Sequence, residues 1–377
     1  MSPLVASVSR RIVELIERRQ IATGEGLPSE RRLASELDVS RGVVRAAIRK
    51  LVEDGLVESK ANCRPVVASP SKRATSRKRH LSVWLWPNTS HYAAASILKG
   101  IQQFDFRKET RLVVGTAAHG DWETIYDSER RFLESLLEEP TEACAIMWYL
   151  GGERNLDALR EVQRAGVSLV FVDRLPPKEI TGHFVGTNNE AAAEQAVKHL
   201  IGLGHRRIGL LTNVDAVSSV EARQRGYQKA LAAAGIHPSP DWVHKVQVDE
   251  MKGVQDALDT LLGLAEPPTA FFCINDNLAL QVHDELTRRE VRIPSDASVV
   301  GFDGLLRWVP GGGYLTTMCQ DFERIGYVAA ELAESSIDAG VAEPSRHFFF
   351  DAHFLNAGST GLSIANQDKQ RCLISGT

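Results

Sequence analysis

The sequence has few cysteines and no long apolar run, and each of these shortages excludes a class of protein. The five cysteines, at positions 63, 144, 273, 319 and 372, are odd in number and form no C-x-x-C pair. This pattern favours reduced thiols over a disulfide framework or a zinc site. No stretch reaches the roughly 18 apolar residues of a membrane helix, and the N-terminus lacks the order of a signal peptide. We therefore expect a cytoplasmic protein without a membrane partner.

The sequence also lacks recognisable sites for catalysis. Its 11 histidines are scattered without metal-binding spacing, and its four methionines are too few to line a cofactor site. No G-x-S-x-G or paired catalytic motif occurs, and "PGGGY" lacks the lysine and the following Ser or Thr of a phosphate loop. We therefore expect no metal, no cofactor and no enzymatic activity.

The charge of the chain is divided unequally along its length. At 377 residues it is long enough for two or three domains. The net charge is −4, yet residues 1–80 hold 17 Lys/Arg and 9 Asp/Glu, whereas the remainder holds 27 and 39. A basic head of charge +8 on an acidic body of charge −12 indicates that the head contacts a polyanion.

The basic head has the pattern of three short helices. Apolar residues at helical spacing mark the first, within residues 4–20. Ser29 is placed to cap a second helix that ends near residue 37, and Ser40 to cap a third that stops at Gly55. Arg41, Arg45 and Arg49 share one face of the third helix. Such a helix fits the major groove of DNA, although an exposed helix with solvated arginines is the alternative interpretation.

Two short strands, "LVES" and "CRPVVA", follow the third helix and predict a small β hairpin. The head is thus predicted to be a winged helix-turn-helix, mainly α with a small β wing. We assign residues 1–68 to this DNA-binding domain and residues 69–80, rich in Ser, Lys and Arg, to a basic linker. That linker either adds nonspecific attraction to phosphates or is only a solvated tether.

Beyond residue 80, strands and helices alternate, which predicts parallel sheets with helices on both faces. The pattern restarts at "HFVGT", so we expect two similar α/β lobes within residues 81–358 and a polar tail at 359–377. Ligands of such folds bind at the carboxyl ends of strands. In this part of the chain, the candidate residues that lie just after predicted strands are Asn88, His119, Asp173, Asn275, Asp276 and Asp303.

The segment "LPSERRLASELDVSRGVVRAAIRKLVEDGLV" contains the second and third predicted helices. In this segment the head resembles the winged-helix domain of GntR-type transcription regulators, and the resemblance covers about residues 8–68. It implies that DNA is contacted by Arg31, Ser40, Arg41, Gly42 and Arg45. The wing departs from the family because "KANCRPVV" lacks the glycine-rich tip. We therefore expect Lys60 and Arg64 to contact phosphates and do not assign a minor-groove contact to this wing.

The body contains five distinctive segments, "HLIGLGHRRIGLLT", "SSVEARQRGYQKAL", "AFFCINDNLAL", "IPSDASVVGFDG" and "LTTMCQDFERIG". In these segments it resembles the effector domain of LacI-type regulators, whose two-lobed fold is shared with periplasmic sugar-binding proteins. Matched position by position, it implies sugar contacts by Arg223, Asn275, Asp303 and Gln320, a weaker match at Asp173, and an aromatic cover from Phe322. Carboxylates, amides and a guanidinium suit a ligand rich in hydroxyl groups.

Both resemblances together match arabinose-repressor-like regulators. They imply a repressor that binds a double-stranded DNA operator as a homodimer and responds to a small sugar. Three alternatives stay open: a regulator that binds a sugar phosphate or a purine, a sugar-binding protein, and a sugar-processing enzyme. Additional Lys or Arg in the pocket would favour the phosphate, and aromatic rings on both sides would favour the purine.

Overall fold

The computed structural model describes residues 3–18, 21–53, 55–59, 64–68, 79–86, 91–106, 110–115, 121–138, 143–214, 217–247, 251–305, 314–339, 344–364 and 366. The chain divides into two compact units. The first contains Met1–Arg79 with Lys108–Arg111, and the second contains the remaining residues. The finer boundaries assigned to the linker and the tail stay predictions.

Among its described residues, the first unit has three helices and a two-stranded antiparallel sheet. Its elements are α1 (Pro3–Arg18), α2 (Glu30–Leu37), α3 (Arg41–Glu53), β1 (Val57–Glu58) and β2 (Val66–Val67). The expected caps are present, because Ser29 Oγ accepts from the Arg32 N–H and Ser40 Oγ from the Val43 N–H, each at 3.3 Å. Apolar side chains of all three helices and both strands form one core. The predicted winged helix-turn-helix fold is confirmed.

The second unit contains two six-stranded sheets, as expected for two α/β lobes. Lobe 1 has the strand order β13-β7-β6-β5-β3-β4, and lobe 2 has the order β14-β12-β11-β10-β8-β9. The first-lobe strands are β3 (Arg79–Trp84), β4 (Thr110–Val114), β5 (Ala143–Met147), β6 (Ser168–Val172), β7 (His183–Thr187) and β13 (His347–Phe350). The second-lobe strands are β8 (Ile208–Asn213), β9 (Val243–Val246), β10 (Ala270–Cys273), β11 (Ser298–Asp303), β12 (Thr316–Cys319) and β14 (His353–Leu355).

The recorded pairings within these sheets are parallel, except that β14 runs antiparallel to β12. In the part of this unit that the structure describes, the α-helices are α4 (His91–Gln103), α5 (Trp122–Glu138), α6 (Leu156–Arg164), α7 (Asn189–Gly202), α8 (Ser218–Ala233), α9 (Met251–Leu262), α10 (Asp276–Arg288) and α11 (Phe322–Ala339). A short 3-10 helix, Pro240–Trp242, precedes β9. The predicted fold class, parallel α/β lobes behind a helix-turn-helix, is therefore confirmed.

The chain passes between the lobes three times. It leaves lobe 1 after β7, returns after β12 through α11, and crosses again between β13 and β14. The sequence interpretation placed the start of the second repeat at "HFVGT", which was wrong. That segment is β7, and it pairs with β6 in the first sheet. The two lobes thus exchange elements, and side chains near each crossing lie where the lobes meet.

One helix pair in each lobe packs through glycine. A Cβ on Gly326 of α11 would lie 2.0 Å from the carbonyl oxygen of Ile97 on α4. In lobe 2, a Cβ on Gly226 of α8 would lie 2.3 Å from the carbonyl oxygen of Glu190 on α7. Because only a residue without a side chain allows these backbones to approach so closely, both pairs keep the helices that border the cleft in fixed positions.

Within the described residues, no helix combines the length and the hydropathy that a bilayer crossing requires.

Candidate functional site

A cleft lies between the two lobes, at the carboxyl ends of their parallel strands. It encloses about 610 Å³ of space, including the part that is open to solvent. Its lining residues are Trp86, Ala93, Trp148, Asp173, Arg174, Asn213, Ser219, Val220, Arg223, Ile274, Asn275, Asn277, Asp303, Leu305, Gln320 and Phe322.

Arg223, on α8, is fixed by contacts along its whole guanidinium group. Its Nε–H donates to Asn189 Oδ1 at 2.8 Å, one Nη donates to the carbonyl oxygen of Ile274 at 2.6 Å, and the other lies 3.2 Å from Asp303 Oδ1. The guanidinium carbon also lies 3.8 Å from the centre of the Phe302 ring. Arg223 is only 5% exposed, so it forms part of the cleft wall and holds the Asp303 carboxylate in place.

Asp303 ends β11 and faces the cleft. Its Oδ1 accepts from Gln320 Nε2 at 2.8 Å as well as from Arg223. Burial raises the pKa of Asp303 to about 6, although the nearby Arg223 cation favours the ionised form. The negative charge of Asp173 also raises it. The ionised carboxylate is therefore held at a cost in stability, as is common where a group is kept for binding.

Two buried acceptor atoms in the cleft lack partners. Asp173 Oδ2 accepts from the Trp148 indole N–H at 3.1 Å, but its Oδ1 has no hydrogen-bond partner among the described residues. The same is true of Gln320 Oε1. Because an unpaired buried acceptor costs roughly 1–3 kcal/mol, these atoms indicate that a donor from a ligand or from water completes the site.

Both cleft aspartates have backbone angles that are unfavourable for residues with a side chain. The φ angle is 63° at Asp173 and 109° at Asp303. Such strain persists where the surrounding structure enforces it, and it is found often at functional sites. The strain at the two strand ends supports a binding role for both carboxylates.

Arg174, which the sequence analysis did not identify, provides an unpaired donor. One of its Nη atoms donates to the carbonyl oxygen of Leu150 at 2.5 Å, and its guanidinium carbon lies 4.2 Å from the centre of the Trp86 ring. Its Nε is buried and has no hydrogen-bond partner within the described part of the chain. Burial lowers the pKa of Arg174. A buried guanidinium with a free N–H is suited to bind an oxygen atom of a ligand.

Aromatic residues of lobe 1 form one side of the cleft. Trp86 and Trp148 meet edge to face with ring centres 6.3 Å apart, and Phe322 lies 6.2 Å from Trp148 at an interplanar angle of 35°. Among the described lining residues, lobe 2 contributes no aromatic ring to the opposite side. The aromatic rings that line the cleft therefore lie on the lobe 1 side.

Asn275 and Asp276 have different roles although they are neighbours. Asn275 lines the cleft and also caps α10, because its Oδ1 accepts from the Leu278 N–H at 2.8 Å. Asp276 does not line the cleft. Its carboxylate is buried and accepts from the Leu305 N–H and from Thr317 Oγ1, so it supports the segment that follows β11 and the strand β12. Asn88 and His119 lie outside the described residues.

The cleft brings together six of the seven ligand-binding residues expected from the sequence, namely Asp173, Arg223, Asn275, Asp303, Gln320 and Phe322. The sequence analysis missed Trp86, Trp148, Arg174 and Asn213. Each of these lies at or just after the carboxyl end of a strand. The strand-end rule covers these positions as well. The sequence analysis overlooked Asn213 and did not consider Trp or Arg at strand ends.

The first unit presents the expected DNA-binding residues at its surface. Arg31, Ser40, Arg41, Gly42, Arg45 and Arg64 are all exposed, whereas Lys60 lies outside the described residues. A Cβ on Gly42 would meet only Ser40 Oγ, at 3.8 Å. Nothing else in the fold requires glycine at this position at the start of α3, which is compatible with close approach to a partner.

Arg45 is oriented by an acidic residue of the preceding helix. Its Nε and one Nη donate to the two carboxylate oxygens of Glu30 at 3.2 and 2.8 Å. The hydrogen bond from Arg45 lowers the pKa of Glu30. The Arg45 side chain is 60% exposed, so this pair adds little to stability. The remaining N–H groups of Arg45 stay available to a partner.

Comparison with known families assigns both parts of the chain. Residues 4–64 match the gntR family of bacterial regulatory proteins, and residues 197–360 match the periplasmic binding protein-like domain. These matches confirm the resemblance on which the sequence analysis relied. The chain joins a DNA-binding helix-turn-helix domain to a periplasmic-binding-protein-like domain, which is the architecture of a transcription regulator with a small-molecule effector.

Relatives and solved structures agree with this architecture. An arabinose metabolism transcriptional repressor from Halalkalibacterium halodurans is 27% identical over 330 residues, which cover 82% of this chain and 83% of the relative. The repressor PurR from Aliivibrio salmonicida is 26% identical over 239 residues, covering 63% and 69%. A LacI family regulator from Enterococcus faecium, solved with bound ribose, superposes with a TM-score of 0.61 at 21% identity, covering 75% of this chain and 99% of that one.

Proposed function

We propose that this GntR-type head joined to a periplasmic-binding-protein-like body is a transcriptional repressor whose affinity for its operator is controlled by a neutral sugar. The sugar binds in the cleft between the lobes, and the head binds double-stranded DNA in the cytoplasm. The protein acts as a homodimer, because two copies place two reading helices on a roughly palindromic site.

The observation that carries the proposal is the set of unpaired atoms in the cleft. Asp173 Oδ1 and Gln320 Oε1 can only accept a hydrogen bond, and Arg174 Nε can only donate one. A hydroxyl group serves both kinds of partner, and a sugar has several of them. The aromatic side of the cleft, with Trp86, Trp148 and Phe322, is suited to cover the C–H face of a sugar ring.

The charges of the cleft argue against a sugar phosphate. Arg174 is an additional cation, but Arg223 has Nε and both Nη groups engaged by the protein. The carboxylates of Asp173 and Asp303 balance the two cations and would repel a phosphate. A purine is also disfavoured, because the described lining residues place aromatic rings on one side only and so cannot enclose a flat base between two rings.

The relatives support a sugar as well. Arabinose is in the name of one relative, and two solved structures are described with bound ribose and with cellobiose. Other relatives are the repressors named PurR and CytR, whose names do not mention a sugar. The chemistry of the cleft favours a neutral sugar for this protein.

Control of DNA binding follows from linkage. A sugar can shift the affinity for DNA only by its different affinity for two states of the protein, and such couplings are typically about 1–3 kcal/mol. The lobes already touch in front of the cleft, where the Leu175 N–H donates to Ser218 Oγ at 2.8 Å. We propose that the sugar favours this closed arrangement and that closure weakens operator binding.

A thermal-shift screen tests the proposal. The full chain is mixed with pentoses, hexoses, their phosphates and purines, because a ligand that binds only the folded state raises the melting temperature. We expect a neutral sugar to raise it and Asp303→Ala to abolish that rise. A shift produced only by phosphates or purines would reject the sugar, and sequence-independent DNA binding by the full chain would reject the repressor.

A further inference from the structure

Glu129 lies behind the cleft wall, and its burial is unusual for a carboxylate. It is on α5 and is 0% exposed. Its Oε1 accepts from the Leu150 N–H at 2.8 Å, and its Oε2 accepts from Asn155 Nδ2 at 2.8 Å. It does not line the cleft. The carboxylate therefore binds the loop between β5 and α6 and makes no direct contact with the space in which a ligand would lie.

Leu150 connects Glu129 to the cleft. While its N–H donates to Glu129, its carbonyl oxygen accepts from an Nη of Arg174 at 2.5 Å. Arg174 in turn rests on the Trp86 ring and has its unpaired Nε in the cleft wall. A displacement of Leu150 would move the acceptor that orients this guanidinium.

We propose that Glu129 is a positioning residue of the effector pocket, which acts through the Leu150 backbone to hold the Arg174 guanidinium against the ligand. This proposal rests on the proposed function, since it assigns Glu129 a part in the same pocket. Burial raises the pKa of Glu129 to about 7, and the hydrogen bonds from Asn155 and Leu150 and the charge of Arg174 oppose this rise. Packing alone would not require a carboxylate at this position. The carboxylate is needed for the hydrogen bonds that it accepts from the Leu150 N–H and from Asn155 Nδ2, because a buried donor without an acceptor is costly.

A double-mutant cycle separates this role from a general effect on folding. Glu129→Gln keeps the size of the side chain but places an amide opposite the Leu150 N–H and the Asn155 amide. Arg174→Lys keeps a cation but removes the fork that reaches the Leu150 carbonyl oxygen. The affinities of the full chain and its variants for D-ribose and L-arabinose are measured by tryptophan fluorescence, since Trp86 and Trp148 line the cleft.

We expect Glu129→Gln to weaken pentose binding roughly tenfold in the wild-type background, the usual effect of losing a hydrogen bond to a charged group. In the Arg174→Lys background, Glu129→Gln should weaken pentose binding less than about twofold. In that background the contact between the Leu150 carbonyl oxygen and the Arg174 guanidinium is already lost. An equal loss in both backgrounds, or no loss in the wild type, would overturn the proposal. If the wild type binds neither pentose, the neutral hexoses of the thermal-shift screen replace them in the cycle. The proposed function fails only if the wild type binds none of these neutral sugars, which is a different result.

Glu285→Gln is the matched control. Glu285 is also a buried carboxylate, 3% exposed, but it lies in lobe 2, is held by Arg288 and Arg289, and does not line the cleft. It should lower the melting temperature without changing pentose affinity. If Glu129→Gln prevents folding, Asn155→Ala replaces it. That variant removes the partner of the second Glu129 oxygen, and its loss of affinity should show the same dependence on Arg174.

Discussion

Replacement of Asp303 by asparagine should make the unliganded effector unit more stable, and the gain should grow with pH. Burial raises the pKa of Asp303 to about 6 from an ordinary value of 3.8. Between these values the folded state binds more protons than the unfolded state, so stability falls as the pH rises through this window. Asparagine has the shape of the carboxyl group and carries no charge at any pH.

The shift gives the size of the effect. One pKa unit corresponds to about 1.4 kcal/mol. Integrated over both titrations, ionisation of Asp303 costs about 1.5 kcal/mol at pH 5 and about 3 kcal/mol at pH 8. The difference in unfolding free energy between Asp303→Asn and wild type should therefore increase by about 1.5 kcal/mol across this range. Arg223 keeps an acceptor in the variant, because the amide oxygen can replace Oδ1.

Urea unfolding at pH 5, 6, 7 and 8, followed by tryptophan fluorescence, measures this difference. All six tryptophans lie beyond residue 80, so the signal reports the effector unit. Asp296→Asn is the control, because Arg292 lowers the pKa of Asp296 to about 2. Asp296 therefore titrates below pH 5 in both the folded and the unfolded state. The difference in unfolding free energy between Asp296→Asn and wild type should stay constant from pH 5 to pH 8. A flat profile for Asp303→Asn would refute the assigned electrostatic cost.

Three further predictions concern other parts of the chain. Arg45→Ala should weaken binding to a selected operator by roughly 1–3 kcal/mol in a gel-shift titration if this side chain reads a base, and unchanged binding would exclude it from the reading helix. Gly326→Ala should lower the melting temperature by several degrees, since its Cβ would lie 2.0 Å from the Ile97 carbonyl oxygen; an unchanged melting temperature would contradict the close packing. Ser218→Ala removes the acceptor of the Leu175 N–H and should weaken sugar binding severalfold, by about 1 kcal/mol, with little change in DNA binding by the sugar-free protein. Calorimetry that gives an unaltered affinity would argue against closure at this contact.

The sequence alone predicted the features that depend on local chemistry. Capping by Ser29 and Ser40 needs only a hydroxyl before a helix, and alternating strands and helices need only their apolar periods. The same holds for Asp173 and Asp303. Parallel strands end at one edge of a sheet, so a polar residue after each strand is brought near the others whatever the details of packing.

Only the tertiary structure decided which neighbouring residues share a role. Asn275 and Asp276 follow the same strand, yet one lines the cleft and the other is buried against Thr317. Trp86, Trp148 and Arg174 come from separate strands and meet only because the sheet order places those strands close together. The start of the second lobe was misplaced for the same reason. The strand with which a segment pairs determines which sheet that segment joins. The periodic pattern of apolar residues contains no information about this distant partner.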